Sequence, residues 1–143
     1  MTRPLIIGVG QGGVDSLSAG IRDRLAKMDL IIAAQRFHDG LPDGPEIQDW
    51  PSPFSNIYSI LEAGSAKSIA LLATGDPMWF GAGASLVCRL GADACEVVPA
   101  VSGLQLAAAR LGWPMAACRV VSIHGRPVAT LAAALAPRAT LLV

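Results

Sequence analysis

Short runs of aliphatic residues alternate along this chain with segments whose apolar residues recur at helical spacing. The runs have the length and composition of buried β-strands, and the other segments have the period of amphipathic helices. Strands are predicted at residues 4–10, 30–33, 68–73, 95–99, 120–123 and 140–143. Helices are predicted at 54–63, 82–90, 102–111 and 128–135, and from a cap at Ser16 or Ser18 to about Lys27. This alternation predicts an α/β fold, an open, largely parallel sheet with helices on both faces.

The composition excludes several classes of protein. Hydrophobic residues make up 52% of the 143 residues and charged residues 15%, so the chain is not intrinsically disordered. No apolar stretch approaches the ~18–20 residues of a membrane-spanning helix, and the N-terminus lacks the apolar region of a signal peptide. A formal net charge of zero provides no overall field for nucleic acid. We therefore expect a cytoplasmic protein that binds neither membranes nor nucleic acid.

Cysteine and histidine are too scattered to predict a metal site. Cys88, Cys95 and Cys118 have no CxxC spacing, and their odd number argues against a disulfide framework. His38 and His124 lie far apart in the sequence and form no cluster with the cysteines. No metal is therefore expected.

Three of the predicted strands end in unusual loops. The first strand runs into GVGQGG, the third into TGDPMWFG and the fourth into PAVSG. Ligands of open α/β sheets bind outside the carboxyl ends of the strands, where these loops would lie together. The sequence therefore predicts a ligand site at this edge of the sheet.

Other ligand-binding and catalytic motifs are less well supported. Gly8–Gly13 matches GxGxxG, but Val14–Leu17 precede the helix, and the second strand ends in Ala33-Ala34-Gln35 without the acid that a dinucleotide ribose requires. A nicotinamide-dinucleotide-binding oxidoreductase fragment remains an alternative. No GK[ST] follows any glycine loop and no GxSxG occurs, which excludes a P-loop and leaves hydrolysis by a serine nucleophile unsupported.

Charge is unevenly distributed along the chain. Glu96 is the last acidic residue, and Arg110, Arg119, Arg126 and Arg138 follow it without a carboxylate. These arginines are either solvated side chains on separate elements or part of a surface that receives an anionic small molecule.

The segments GVGQGGVDSLS, LLATGDPMWFG and VPAVSGLQLAAARLGWP occur in the same order as the N-terminal motifs of the tetrapyrrole methylase family, which this chain resembles. RFHDGL and VVSIHGRP resemble the precorrin-6Y and cobalt-precorrin C5-methyltransferase branch of that family. The resemblance implies methylation of a ring carbon of an anionic tetrapyrrole by S-adenosyl-L-methionine, in a homodimer. It also implies an N-terminal domain over residues 1–113 and the truncated beginning of a second α/β domain over 114–143. A non-catalytic half-domain that binds a partner is a further alternative.

The resemblance also implies roles for particular residues. The positions that match the family's cofactor-binding motifs are Gly10, Gln11, Thr74, Gly75, Asp76, Trp79, Ser102 and Gly103. Gln11 stands where the family usually has Pro, Ala100 replaces a common Gly, and Gly103 replaces a common Ser or Ala.

The resemblance also suggests candidates for substrate binding and for proton transfer. Arg126 is expected to bind a substrate carboxylate, since arginine can hold a carboxylate through two hydrogen bonds. His38, Asp39 and His124 are candidates for the base that removes the ring proton.

Overall fold

The computed structural model describes residues 3–63, 67–123, 126–137 and 139–143. The chain forms two compact units, Met1–Val101 and Ser102–Val143, each with its own sheet.

Five parallel strands form the sheet of the first unit. They are β1 (Leu5–Val9), β2 (Leu30–Ile32), β3 (Glu46–Gln48), β4 (Ile69–Thr74) and β5 (Glu96–Val98). Their order in the sheet is β3-β2-β4-β1-β5. The helices of this unit are α1 (Ala19–Leu25), α2 (Asn56–Ala63) and α3 (Ala82–Leu90). The predicted α/β fold with a parallel sheet is confirmed.

The sheet is buried on both faces. All five residues of β1 are buried, as expected for a central parallel strand. One face carries Ile7 and clusters with Leu25 of α1, whereas the other carries Ile6 and clusters with Leu61 of α2 and Leu86 of α3. Each fully buried aliphatic side chain contributes about 1.5–3 kcal/mol relative to exposure. Helices therefore cover both faces, and α1 lies opposite α2 and α3.

The connections of the sheet change direction between β4 and β1. On one face, α1 carries the chain from β1 past β4 to β2. On the other face, α3 carries it from β4 past β1 to β5. Because adjacent connections leave in opposite directions on opposite faces, the carboxyl ends of β1 and β4 are the topological switch point of the sheet. Ligands of open α/β sheets bind near such a point, at the same edge that the loop motifs predict.

Polar contacts tie strands together at the amino edge of the same sheet. The Asp29 carboxylate accepts hydrogen bonds from the Ser68 N–H and hydroxyl, both at 2.7 Å. These two hydrogen bonds hold the pKa of Asp29 below its usual range, and the bond from the Ser68 backbone has the larger effect. Arg24 donates to both carboxylate oxygens of Glu96 at 2.7 and 2.8 Å, which lowers the pKa of Glu96 and raises that of Arg24.

The second unit begins with α4 (Gly103–Leu111) and contains a parallel pair, β6 (Cys118–Val120) and β7 (Thr140–Leu142). As predicted, Ser102 caps α4, and Gly112 ends it at φ 66°. The strand expected at 120–123 lies earlier, at β6, and the helix expected at 128–135 is a short 3-10 stretch, Val128–Leu131. Val128 and Leu135 of this segment are 69% and 67% exposed, so it buries little of the apolar face from whose packing a short helix gains its stability. No described helix is long and apolar enough to span a membrane.

Candidate functional site

A cleft of about 410 Å³ opens at the carboxyl edge of the first unit's sheet. The glycine loop after β1, the approach to α1 and the segment after β5 form its walls. Its lining residues are Gly8, Gly10, Gln11, Ser16, Leu17, Ser18, Ile21 and Val98 to Val101. The volume falls within the range of about 300–1,000 Å³ that is typical of small-molecule sites.

Gly8 is the point at which the three predicted loops meet. A Cβ atom at this position would lie 2.6 Å from the Gly75 carbonyl oxygen and 2.7 Å from the Ala100 Cβ. The Gly75 N–H also donates to the Val9 carbonyl at 2.7 Å, which joins the end of β1 to the turn after β4. The loops after β1, β4 and β5 therefore touch one another, and only glycine leaves enough space between them.

The glycine loop is closed by its own backbone. The Gly13 N–H donates to the Gly10 carbonyl at 3.1 Å, and the Ser16 hydroxyl donates to the Gly13 carbonyl at 2.7 Å. Gly13 has φ 67°, a conformation that favours glycine. These bonds lead into a 3-10 turn, Val14–Ser16, and α1 begins only after its cap, Ser18.

This geometry does not favour the nicotinamide alternative. In the dinucleotide-binding fold a helix begins at the third glycine, and β1 lies beside β2 in the order 3-2-1-4-5-6. Here a separate turn intervenes, and β4 lies between β2 and β1. The residues that follow β2 include Ala33, Ala34 and Gln35, none of them acidic.

The turn after β4 is hydrogen-bonded within itself and leaves apolar side chains exposed. The Asp76 carboxylate accepts a hydrogen bond from the Met78 N–H at 2.8 Å, and the Trp79 N–H donates to the Asp76 carbonyl at 3.2 Å. Gly75 has φ 65°. Trp79 and Phe80 remain 43% and 53% exposed, with their rings edge to face.

The predicted cofactor residues of the first unit fall into two adjoining groups. Gly10 and Gln11 line the cleft. Thr74, Gly75, Asp76 and Trp79 form the neighbouring turn, outside the cleft lining but in contact with it where Gly75 meets Gly8.

The other predicted cofactor residues lie in the second unit. The Ser102 hydroxyl accepts from the Gln105 N–H at 3.2 Å, and the Ser102 N–H donates to the Gln105 side chain at 2.8 Å. The Ser102 side chain therefore caps α4, which Gly103 begins. Arg126 is exposed, and its N–H donates to the Ile123 carbonyl at 3.0 Å. His124 lies outside the described residues.

The remaining base candidates lie in a 3-10 stretch, Gln35–Gly40, that follows β2. The Nε2 atom of His38 is 3.2 Å from the Ala33 carbonyl oxygen and 3.4 Å from the Asp49 carboxylate. His38 is half-buried and Asp39 is exposed, and neither lines the cleft. These contacts anchor the stretch to the ends of β2 and β3.

The sequence prediction missed some residues of this edge. Gly8 and the Ser16–Ser18 segment line the cleft, although only their neighbours Gly10 and Gln11 were singled out. Arg36, which donates a hydrogen bond to the Thr74 hydroxyl, was also missed. The glycine motif itself contained the signal for Gly8, whereas the pairing of Arg36 with Thr74 depends on tertiary structure.

Residues 5–143 match the family model described as Tetrapyrrole (Corrin/Porphyrin) Methylases. The chain belongs to the tetrapyrrole methylase family. The family assignment made from the three loop motifs is therefore confirmed, and the loops that carried it are those that meet at Gly8.

Relatives of this tetrapyrrole methylase include two curated methyltransferases. A precorrin-6Y C(5,15)-methyltransferase (decarboxylating) from Sinorhizobium sp is 32% identical over 140 residues, which are 96% of this chain and 34% of that protein. A cobalt-precorrin-7 C(5)-methyltransferase from Salmonella typhimurium is 27% identical over 124 residues, which are 86% of this chain and 62% of that protein. The chain thus spans about a third of the first relative and less than two thirds of the second.

A solved precorrin-6Y methylase has the same fold. The precorrin-6Y methylase from Archaeoglobus fulgidus matches with a TM-score of 0.69 and 26% identity, over 86% of this chain and 65% of that one.

Proposed function

We propose that this protein transfers a methyl group from S-adenosyl-L-methionine to a ring carbon of an anionic corrin precursor, of the C-5 type, in cobalamin biosynthesis. One observation carries the proposal: the three loops that match the family motifs touch at Gly8, beside a cleft at the carboxyl edge of the sheet. The names of the Sinorhizobium and Salmonella relatives support the choice of substrate.

The residues at this edge fit the proposed cofactor. The cleft has the volume of a small-molecule site, and its glycine loop brings backbone rather than bulky side chains to the ligand. A Cβ at Gly10 would meet nothing within 4 Å, so the space above this residue is open. We place Gly10 and Gln11 on one side of the cofactor and Gly75, Asp76 and the Trp79 backbone on the other. Thr74 orients that turn, and Ser102 and Gly103 complete the set through their backbones, because the Ser102 side chain caps α4.

The chemistry requires positioning more than covalent catalysis. The bound cofactor supplies a methyl group already activated by its sulfonium, so the chain need not provide a nucleophile. Its residues have to hold donor and acceptor carbon in line, which can contribute about 7–11 kcal/mol at best. A base must still remove the ring proton, and His38, Asp39 and His124 remain the candidates. Arg126 is proposed to bind a substrate carboxylate.

The domain organisation follows from the same family membership. We propose that residues 1–113 form the N-terminal methylase domain and that 114–143 begin the second domain. The separate parallel pair β6–β7 supports the second assignment, whereas the two compact units divide earlier, between Val101 and Ser102.

Calorimetric titration of the protein at its natural length tests which cofactor it binds. S-adenosylhomocysteine is expected to bind and NAD is not. Binding of NAD without S-adenosylhomocysteine would refute the proposal in favour of the oxidoreductase alternative.

Turnover separates the enzyme from a non-catalytic partner-binding module. With a corrin precursor and S-adenosyl-L-methionine, mass spectrometry should show a product heavier by one methylene unit. Cofactor binding without such a product from any C-5-unmethylated precursor would favour the non-catalytic alternative.

Assembly and location are parts of the same proposal. We propose a cytoplasmic homodimer. Exposed apolar side chains of the second unit, Val128 and Leu135 among them, support association. Light scattering at several concentrations should show a dimer, and a monomer throughout would contradict this expectation.

A further inference from the structure

Arg36 lies at the carboxyl edge of the sheet. It lies just after β2, in the 3-10 stretch Gln35–Gly40. Its guanidinium donates to the hydroxyl of Thr74, the last residue of β4, and lies 4.8 Å from the centre of the Phe37 ring. Phe37 is buried in the core. The side chain is thus held from two sides, beside the turn that begins at Gly75.

The charge of Arg36 is not neutralised by a neighbouring acid. Arg36 and Thr74 are both exposed, and among the described residues no carboxylate lies within 4 Å of this guanidinium. Arg24, at the amino edge of the sheet, is by contrast bound to both oxygens of Glu96. A guanidinium carries five N–H donors in a planar fork, and one hydroxyl acceptor leaves several of them free. The guanidinium of Arg36 therefore has N–H donors with which it can bind a carboxylate of a ligand.

An apolar surface begins a few residues beyond Thr74. Met78, Trp79 and Phe80 are all exposed, although each is large and apolar. Phe80 has φ 55°, which is unusual for a non-glycine residue and indicates a conformation imposed by its surroundings. A Cβ at Gly83 would lie 2.7 Å from Pro77, so the loop packs closely onto the start of α3. This edge thus presents both a guanidinium and an exposed aromatic surface.

We propose that Arg36, oriented by Thr74, binds a rim carboxylate of the tetrapyrrole substrate. The inference rests on the proposed function and extends it by assigning a substrate-binding residue in the first unit. A tetrapyrrole has a large, mostly apolar ring face with carboxylates around its rim. The exposed apolar side chains suit the ring, and the guanidinium suits the rim.

The test compares Arg36→Gln with a matched control, Arg89→Gln, in the protein at its natural length. Arg89 is also exposed and also lies over a ring, 5.2 Å from the centre of Tyr58. It stands in the last turn of α3, which runs back toward the opposite edge of the sheet. Uroporphyrin, a stable tetrapyrrole with a carboxylate rim, serves as the substrate probe in a fluorescence titration. Calorimetry with S-adenosylhomocysteine measures the cofactor separately.

The Kd for uroporphyrin should rise about tenfold in Arg36→Gln, as expected for the loss of a charged hydrogen bond. Arg36→Lys, which keeps the charge but loses the planar fork, should lie in between. Arg89→Gln should match the wild type, and no variant should change the affinity for S-adenosylhomocysteine. The affinity of the wild type should also fall more steeply with salt than that of Arg36→Gln.

Two results would overturn the inference. Unchanged uroporphyrin affinity in both Arg36 variants would leave Arg36 a structural residue. A selective loss of S-adenosylhomocysteine affinity would show that Arg36 serves the carboxylate of the cofactor. If Arg36→Gln fails to fold, Arg36→Lys provides the test instead. A uroporphyrin affinity in Arg36→Lys equal to that of the wild type would contradict the binding of a rim carboxylate by the planar guanidinium of Arg36. Failure of the wild type to bind S-adenosylhomocysteine would refute the proposed function instead.

Discussion

Replacing Gly8 with alanine should disturb the folded core and the site together. The added methyl group would lie 2.6 Å from the Gly75 carbonyl oxygen, 2.7 Å from the Ala100 Cβ and 2.9 Å from the Ala100 nitrogen. Ordinary contacts begin near 3.4 Å, so the turn and the segment after β5 must each move by roughly 0.7–0.8 Å. None of these atoms lies on a flexible side chain, so the backbone of both loops has to move.

The expected cost follows from that displacement. Inserting a methyl group into a closely packed site costs about 1–3 kcal/mol, which for a chain of this size lowers the Tm by on the order of 3–10 °C. The same displacement moves the glycine loop and the segment after β5, which line the cleft. Gly8→Ala should therefore lower both the Tm and the affinity for S-adenosylhomocysteine, measured by calorimetry of the protein at its natural length.

Gly10→Ala is the matched control. A Cβ at Gly10 meets nothing within 4 Å, yet this residue lines the cleft. Its Tm should stay within about 1 °C of the wild type, while the methyl group occupies ligand space and weakens cofactor binding. A wild-type Tm for Gly8→Ala, or a larger loss of stability in Gly10→Ala, would refute the idea that three loops are packed around Gly8.

Three further predictions concern single polar groups. Asp76→Asn keeps an oxygen acceptor for the Met78 N–H but removes the negative charge, so it should weaken S-adenosylhomocysteine binding without lowering the Tm. Asp76→Ala also removes the acceptor, so it should lower both the affinity and the Tm. Equal affinity in wild type and Asp76→Asn would leave this residue a turn former. Because hydrogen bonds from Ser68 lower the folded-state pKa of Asp29, its ionised form stabilises the fold above its usual pKa of 3.8. This contribution is lost as the pH falls through the lower folded value, so the Tm advantage over Asp29→Asn should be constant near neutrality and shrink in acid; an advantage independent of pH would contradict the assignment. Ser102→Ala removes the cap of α4 and should cost about 0.5–2 kcal/mol in thermal unfolding, most of which Ser102→Asp should restore.

The sequence predicted most elements of the first unit because their determinants are local. β1 and β4 are runs of apolar residues buried on both faces, and such runs are recognisable without knowing their partners. Ser102 and Gly112 bracket α4 with the residues that helix ends prefer. The stretch after Pro127 was predicted wrongly, because an alanine- and leucine-rich pattern does not distinguish a full helix from a short 3-10 turn.

The strand order and half of the site geometry could not be predicted in this way. Nothing local to β1 reveals that β4 and β5, rather than β2, lie beside it. The loop motifs predicted which edge carries the site, but the contact between Gly8 and Gly75 depends on that strand order. The bond between Arg36 and Thr74 joins the ends of two strands that are distant in sequence, and no spacing rule connects them.

The central place of β1 in the sheet has a consequence for folding during synthesis. Leu5 aligns with Ala70 of β4 and with Glu96 of β5, so β1 is synthesised well before either of the strands that flank it. Pairing across such separations is slow, because the entropy of closing a long loop is lost before the contacts form. During that interval the apolar sequence LIIGV has neither neighbour. β1 is therefore the segment of the nascent chain at which we expect chaperones to bind and aggregation to begin.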